Sequence, residues 1–188
     1  MYVQSKPNDP AAFRKVLGHF ASGVTIITTV YEKRVHGMTA NAFCSVSLEP
    51  PLVLVSVRNQ SHMHTLLAQS RRYGVSVLAR DQEALSRYFS GRSQELLQIP
   101  FAYYEGCPLI EGSLAWLICT VVHAYPAGDH TLYVGQVESL AYSAHSAPLL
   151  FYAGEYRTLE GSGSDKHASQ PEVGPVEKEV QASFMPHQ

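Results

Sequence analysis

Three short stretches of this chain carry side chains whose types and spacing could do chemistry. The first is "GMTANAFCSVSLEPP", Gly37 to Pro51. Its even positions Met38, Ala40, Ala42, Cys44 and Val46 are apolar; its odd positions Thr39, Asn41, Phe43, Ser45 and Ser47 are mostly small and polar. Alternation with period two predicts a single half-buried β-strand, apolar face inward. The other face then bears hydroxyls and an amide but no charge. Two readings fit: an edge strand whose polar residues meet water, or a strand lying along a flat, heteroatom-rich ligand. In the second, small side chains let ring heteroatoms reach backbone N–H and C=O groups.

The second stretch is "LVLVSVRNQSHMHT". Ser61 and Thr65 stand four apart at a predicted helix start, so both hydroxyls can share a face. A helix N-terminus offers unpaired N–H groups and a positive dipole end, which suits a phosphate. Plain capping by Ser61, with Thr65 on the surface, accounts for the same residues. The strand just before would bring Ser56, Val57 and Asn59 alongside the same ligand. The third stretch is "PAGDHTLYVG". A turn explains Gly128 and Asp129 fully. His130 is left over: just past the turn it can project into a cleft mouth and donate to an amide or phosphate of a second substrate. Asp129 beside it can orient or charge it.

Other chemistries lack their residues. No G-x-G-x-x-G follows a strand and no G-x-x-x-x-G-K-[ST] occurs, which argues against a Rossmann or P-loop nucleotide site. Without a G-x-S-x-G elbow, a Ser–His–Asp hydrolase has no activated serine in a recognisable setting. There are nine histidines, but no H-E-x-x-H and no Cys/His cluster. His62 and His64, two apart, do not share a helical face, so no metal site is expected.

The elements that must position these stretches read as follows. "NDPAAFRKVLGHFASG" predicts a helix capped by Asp9, with Pro10 at its first position and Phe13, Val16, Leu17 and Phe20 forming one apolar stripe. "VTIITTVY" is β-branched, a buried strand. In "EPPLVLVSV" the prolines must stand at the strand's start. "SHMHTLLAQS" is a short helix, "YGVSVLA" a strand, and "RDQEALSRYFSGR" a helix with acidic residues first and basic ones last. Residues 93–112 read as a loop or a partly helical excursion. "SLAWLICTVVHAY" and "TLYVGQVESLAYS" are long strands joined through "PAGD", a hairpin, and "PLLFYAGEY" closes the folded part. Strands dominate and helices only connect them, which predicts a mostly β, mainly antiparallel barrel with short helices. One domain over residues 1–159 is expected, followed by a disordered polar tail over 160–188.

Composition narrows the setting. Of the 188 residues, 45% are hydrophobic and 16% charged, and the net charge is −2. That suits a globular protein with no basic field for nucleic acid or an anionic membrane. Three widely spaced cysteines without a C-x-x-C suit a reducing compartment. With no signal-like segment and no membrane-length apolar run, the expectation is a cytoplasmic protein.

Taken together, "FRKVLGHFASGVTIITT", "GMTANAFCSVSLEPPLVLVSV", "YGVSVLARDQEALSRYFSGR" and "GDHTLYVGQV" resemble, block by block and in order, the short-chain flavin reductase family. These are the reductase components of two-component flavin monooxygenases, and the resemblance runs from Ala11 to Leu159. It implies an FMN-binding split barrel that binds FMN or FAD, dimerises, takes hydride from NADH or NADPH, and passes reduced flavin to a separate oxygenase. It places Thr39, Ala40 and Asn41 at the isoalloxazine and ribityl chain, with Ser56 and Val57 near the ring. Ser61 and Thr65 fall at the phosphate, and Gly128, Asp129 and His130 near the nicotinamide nucleotide. Ser45, Ser47 and Asn59 complete the expected cofactor-binding set, and His130 is the residue expected to act in the reaction, by positioning. Where family members often carry a basic residue, this chain has "NQSHMHT", leaving His62 or His64 to supply the charge. Two rivals stand beside this reading: a non-enzymatic flavin or electron-transfer module on the same barrel, and a different flavin-dependent oxidase of that fold.

Overall fold

The computed structural model describes residue 6 and residues 8–92, 97–143 and 147–159. The expected tail from residue 160 onward lies outside the described residues.

The chain opens with α1 (Pro10–Leu17), where the Asp9 side chain accepts from the N–H groups of Ala11 at 2.9 Å and Ala12 at 3.3 Å. There follow β1 (Ser22–Gly23), β2 (Thr25–Tyr31), β3 (Arg34–Ala40), β4 (Phe43–Leu48) and β5 (Pro51–Arg58). Next come α2 (His62–Ser70), β6 (Arg72–Val77) and α3 (Glu83–Phe89). The remainder is β7 (Phe101–Tyr104), β8 (Cys107–Ile110), β9 (Ala115–Ala127), β10 (His130–Tyr142), β11 (Leu150–Tyr152) and β12 (Glu155–Arg157).

Seven strands form one sheet in the order β3-β2-β6-β9-β10-β5-β4, antiparallel at every pairing. The outermost strands, β3 and β4, are consecutive in the chain, with only Asn41 and Ala42 between them. Laid flat, a sheet of this width would hold its edges about 29 Å apart. The link from Ala40 to Phe43 spans at most about 11 Å. The sheet must therefore be rolled almost into a barrel, with a seam between β3 and β4 that no ladder closes. This is the expected split barrel, and a roll of this kind also leaves few exposed edges.

Inside the roll lie Ile27, Val55, Val57, Tyr73, Val75, Cys119 and Tyr133, and α2 covers one end with Met63, Leu66 and Leu67. A second cluster packs α3 onto the outer face through Leu85 and Phe89 against Val24, Ile26, Leu78, Ile110 and Leu149. Close approach explains one glycine: a Cβ on Gly135 in β10 would collide with the Tyr73 hydroxyl.

Two expectations are corrected. The strand expected over Gly37–Ser47 is two strands on opposite edges. Asn41 and Ala42 break it, and a register shift between Ser45 and Ser47 resets its parity. On β4 the apolar even positions Cys44 and Val46 are therefore exposed, while Phe43 packs against the core. Residues 93–112 contain a hairpin, β7–β8, turned by Glu105 and Gly106 with φ of 48° and 73°. The Thr28 hydroxyl donates to the Pro108 carbonyl beneath it. The apolar stripe of α1 is uncovered within its own chain: Phe13, Val16, Leu17 and Phe20 are 55–81% exposed, and no residue of α1 is buried.

Candidate functional site

The end of β5 gathers the three chemical stretches. At Ser56, the backbone N–H donates to the Ala42 carbonyl at 3.0 Å, fixing the link that crosses the seam. Two residues on, Arg58 pairs with His130 and Val57 with Thr131, so β5 lies beside the start of β10. Immediately after, the Ser61 hydroxyl donates to the Arg58 carbonyl at 2.8 Å and accepts from the His64 N–H at 3.3 Å, capping α2. Six residues, Ser56 to Ser61, thus touch the seam, the β9–β10 hairpin and the start of a helix. Strand geometry puts Ala42 and His130 about 12 Å apart.

The hairpin tip is a two-residue turn. Of Gly128 and Asp129 only Gly128 has a positive φ, 65°, as a type II′ turn requires. His130 Nδ1 lies 2.7 Å from Asp129 Oδ1. That hydrogen bond, and then the charge of His130, hold the Asp129 carboxyl below the ordinary aspartate range. Asn59 reaches across from the end of β5. Its N–H donates to the Asp129 carbonyl at 2.9 Å, its Nδ2 donates to the Gly128 carbonyl at 3.2 Å, and its Oδ1 accepts from the Thr131 hydroxyl at 2.8 Å.

The start of α2 is pinned from below. The buried Tyr133 hydroxyl, on β10, donates to the His64 carbonyl at 3.0 Å and sits 2.9 Å from His64 Nδ1. Burial pushes the Tyr133 phenol up. The first turn of α2 holds no acidic residue, and Arg58 precedes it, so the helix end keeps its positive character. Thr65 is exposed one turn in from Ser61.

The seam residues differ in what they can offer. Asn41 and Ser45 are exposed, and Ser47 and Ser56 half-buried. The Thr39 hydroxyl is already committed, donating to the Ser86 carbonyl on α3 at 2.7 Å. Ala40 is buried, with its carbonyl accepting from the Thr25 hydroxyl at 2.6 Å. The Val57 side chain is wholly in the core, so it has only backbone to present. The support for Thr39 was invisible in the sequence: Ser86 Oγ lies 2.8 Å from the Tyr156 hydroxyl, and Arg87 covers the Tyr156 ring at 4.9 Å. α3 and β12 together thus fix one side of the seam. Among the described residues, no three His, Cys, Asp or Glu side chains are grouped to hold a metal ion.

Residues 17–160 match the family described as the flavin reductase like domain. The chain belongs to that family. It is 52% identical over 160 residues to an NADH-dependent flavin reductase of a Rhodococcus species, covering 84% of this chain and 90% of that one. It is 40% identical over 156 residues to the reductase subunit HsaB of a flavin-dependent monooxygenase of Mycobacterium tuberculosis, covering 81% and 83%. Among solved structures, flavin reductase PheA2 superposes with a TM-score of 0.79 at 44% identity, covering 81% of this chain and 99% of that one. The NADH:FAD oxidoreductase SgcE6 of Streptomyces globisporus, in complex with NAD and FAD fragments, superposes with a TM-score of 0.81 at 35% identity, covering 87% and 100%.

Proposed function

We propose that this member of the family is an NAD(P)H-dependent flavin reductase that takes FMN or FAD and delivers reduced flavin to a separate monooxygenase component. The observation that carries the reading is the convergence at the end of β5 of an uncharged seam, a positive helix end and a histidine-bearing turn. A flavin bound there supplies the hydride acceptor, and the nicotinamide nucleotide the hydride. The seam suits such a ring: Asn41, Ser45, Ser47 and Ser56 are small or polar and carry no charge, and Thr39, Ala40 and Val57 shape its wall. Ser61 and Thr65, at an α2 start without acidic residues, suit the phosphate.

The chain's own task is placement. Holding two partners in reacting geometry can lower a barrier by roughly 7–11 kcal/mol at the upper range. Gly128, Asp129 and His130 line the nicotinamide side, with His130 donating to the nucleotide and Asp129 orienting its ring. Asn59 belongs with this turn. No side-chain acid or base needs to gain or lose a proton.

A homodimer is part of the proposal, supported by the uncovered α1 stripe. So is one folded domain over residues 1–159 with a polar tail after it. Cytoplasmic residence is supported by Cys44, Cys107 and Cys119 all being free thiols. No described helix is long and apolar enough to cross a membrane.

The test is direct. Purified protein is mixed with NADH or NADPH, and the nicotinamide absorbance is followed with FMN, FAD or riboflavin added. Flavin-dependent oxidation is expected, and tight flavin retention with no oxidation would instead favour a carrier module.

A further inference from the structure

Asn59 is exposed, yet its backbone N–H, its carboxamide nitrogen and its carboxamide oxygen are all used on one neighbour, the tip of the β9–β10 hairpin. It stands one residue beyond the last β5–β10 pair, Arg58 with His130, and extends that ladder by one bond. The carboxamide reaches two points on either side of Asp129–His130: the Gly128 carbonyl before them and the Thr131 hydroxyl after them. A two-residue turn at the end of two long strands would otherwise rock with the fraying ends of its ladder. Exposed neutral hydrogen bonds add little to global stability, and only the Thr131 hydroxyl among these partners is buried, so the three bonds from one side chain and its amide act chiefly on local geometry.

We propose that Asn59 is a positioning residue for hydride transfer: it clamps the Gly128–Asp129–His130 turn to the flavin-side strand β5, so that the nicotinamide nucleotide meets the flavin in register. The proposal rests on reading that turn as the nicotinamide side of the site. It also moves Asn59 from the flavin's ligands, where the sequence had placed it, to the machinery that fixes the second substrate. Each atom of the carboxamide has a distinct job. An aspartate keeps the acceptor for Thr131 but sets a carboxylate oxygen against the Gly128 carbonyl, so it should fail where asparagine succeeds.

The experiment uses the full chain with Asn59→Ala, Asn59→Asp, Thr131→Val and Thr131→Ser. Deuterium uptake across residues 126–132 reads the clamp, KM for NADH and kcat read the reaction, and fluorescence titration reads flavin affinity. Both Asn59 variants should speed exchange in the turn. They should also raise KM for NADH about tenfold, the scale of one or two lost neutral hydrogen bonds, with flavin affinity held. Asn59→Ala, which leaves the buried Thr131 hydroxyl unpaired, should lower the unfolding midpoint, while Asn59→Asp, which keeps that acceptor, should hold it. Thr131→Val should show the same effect in weaker form, and Thr131→Ser should restore wild-type behaviour. Unchanged exchange in the turn would overturn the clamp itself. Faster exchange with unchanged KM for NADH would overturn the nicotinamide assignment of the turn and leave the clamp a purely structural one. A loss of flavin affinity with KM for NADH unchanged would return Asn59 to the flavin's ligands.

Discussion

His130 Nδ1 and Asp129 Oδ1 meet at 2.7 Å on the very tip of a hairpin, with the carboxylate in open solvent. The pair is held by the hydrogen bond more than by burial, and the Asp129 carboxyl is depressed accordingly. A depressed carboxyl pKa means that the interaction is fully present above the ordinary aspartate range and is lost only as pH falls through the lowered value. At neutral pH the carboxylate is therefore in place to accept from the His130 Nδ1–H. An NMR titration of the Asp129 carboxyl carbon should find its midpoint below the ordinary range. His130→Ala should move that midpoint up, and identical midpoints in the two proteins would show that the pair does not form in solution.

At the other end of the proposed ligand, Ser61 and Thr65 should distinguish phosphorylated from unphosphorylated flavin. Ser61→Ala with Thr65→Ala should weaken FMN by about tenfold, as expected for lost hydrogen bonds to a charged group. Riboflavin, without the phosphate, should bind as before. Because Ser61 also caps α2, its removal carries a separate stability cost of about 0.5–2 kcal/mol. Thr65→Ala alone is free of that cost and isolates the ligand effect. Equal weakening of FMN and riboflavin in the Thr65 variant would place the phosphate elsewhere.

The Tyr73 hydroxyl is fully buried, with no well-formed hydrogen bond among the described residues and the Cys119 thiol as a weak partner beside it, and Gly135 leaves the space it occupies. Burial pushes this phenol far up. Gly135→Ala should be strongly destabilising, since a Cβ would also meet Tyr73 Cζ at 2.8 Å and Cys119 Cβ at 3.0 Å. A loss of about 2–3 kcal/mol is expected from overpacking on this scale. Tyr73→Phe removes a buried polar atom that has only the weak Cys119 thiol beside it, so it should be neutral or stabilising. It should also relieve part of the Gly135→Ala cost but not all, because Cζ and Cys119 remain. Urea melts of the two single variants and the double variant measure the coupling, and strict additivity would rule out the contact.

The sequence disclosed the barrel because β-branched runs and long hairpins leave few alternatives: β2, β5, β6, β9 and β10 lie where their patterns put them. It disclosed Ser61 as a cap and Gly128 as a turn residue for the same local reason. What it hid was tertiary. Parity read across Asn41–Ala42 carried one face into the next strand, although that link is where the chain passes from one edge of the sheet to the other. The β7–β8 hairpin lay hidden among prolines and tyrosines with no alternation of their own. The bonds of Thr39 to Ser86 and of Asn59 to the β9–β10 turn join residues 47 and 69 or more positions apart, a separation that local patterning cannot report.

The apolar stripe of α1 does not face its own core, and that has a physical consequence. An eight-residue helix with no buried residue is too short to persist in water on its own. Something must cover it. Phe13, Val16, Leu17 and Phe20, at 55–81% exposure, present roughly 500 Å² of apolar surface, near the upper limit for a patch on a monomer. Paired with its own copy about a two-fold axis, this surface accounts for much of the area that a standard interface buries. Light scattering at micromolar concentration should therefore report twice the chain mass for the wild type. Leu17→Glu with Phe20→Glu should bring it down to one chain, because each carboxylate would have to enter a dry contact without a partner. α1 can detach without disturbing the buried clusters, so the far-UV spectrum of the β-sheet should survive the change. A wild-type protein of single-chain mass, or a double variant that still scatters as a dimer, would show that α1 is covered by something other than a second copy.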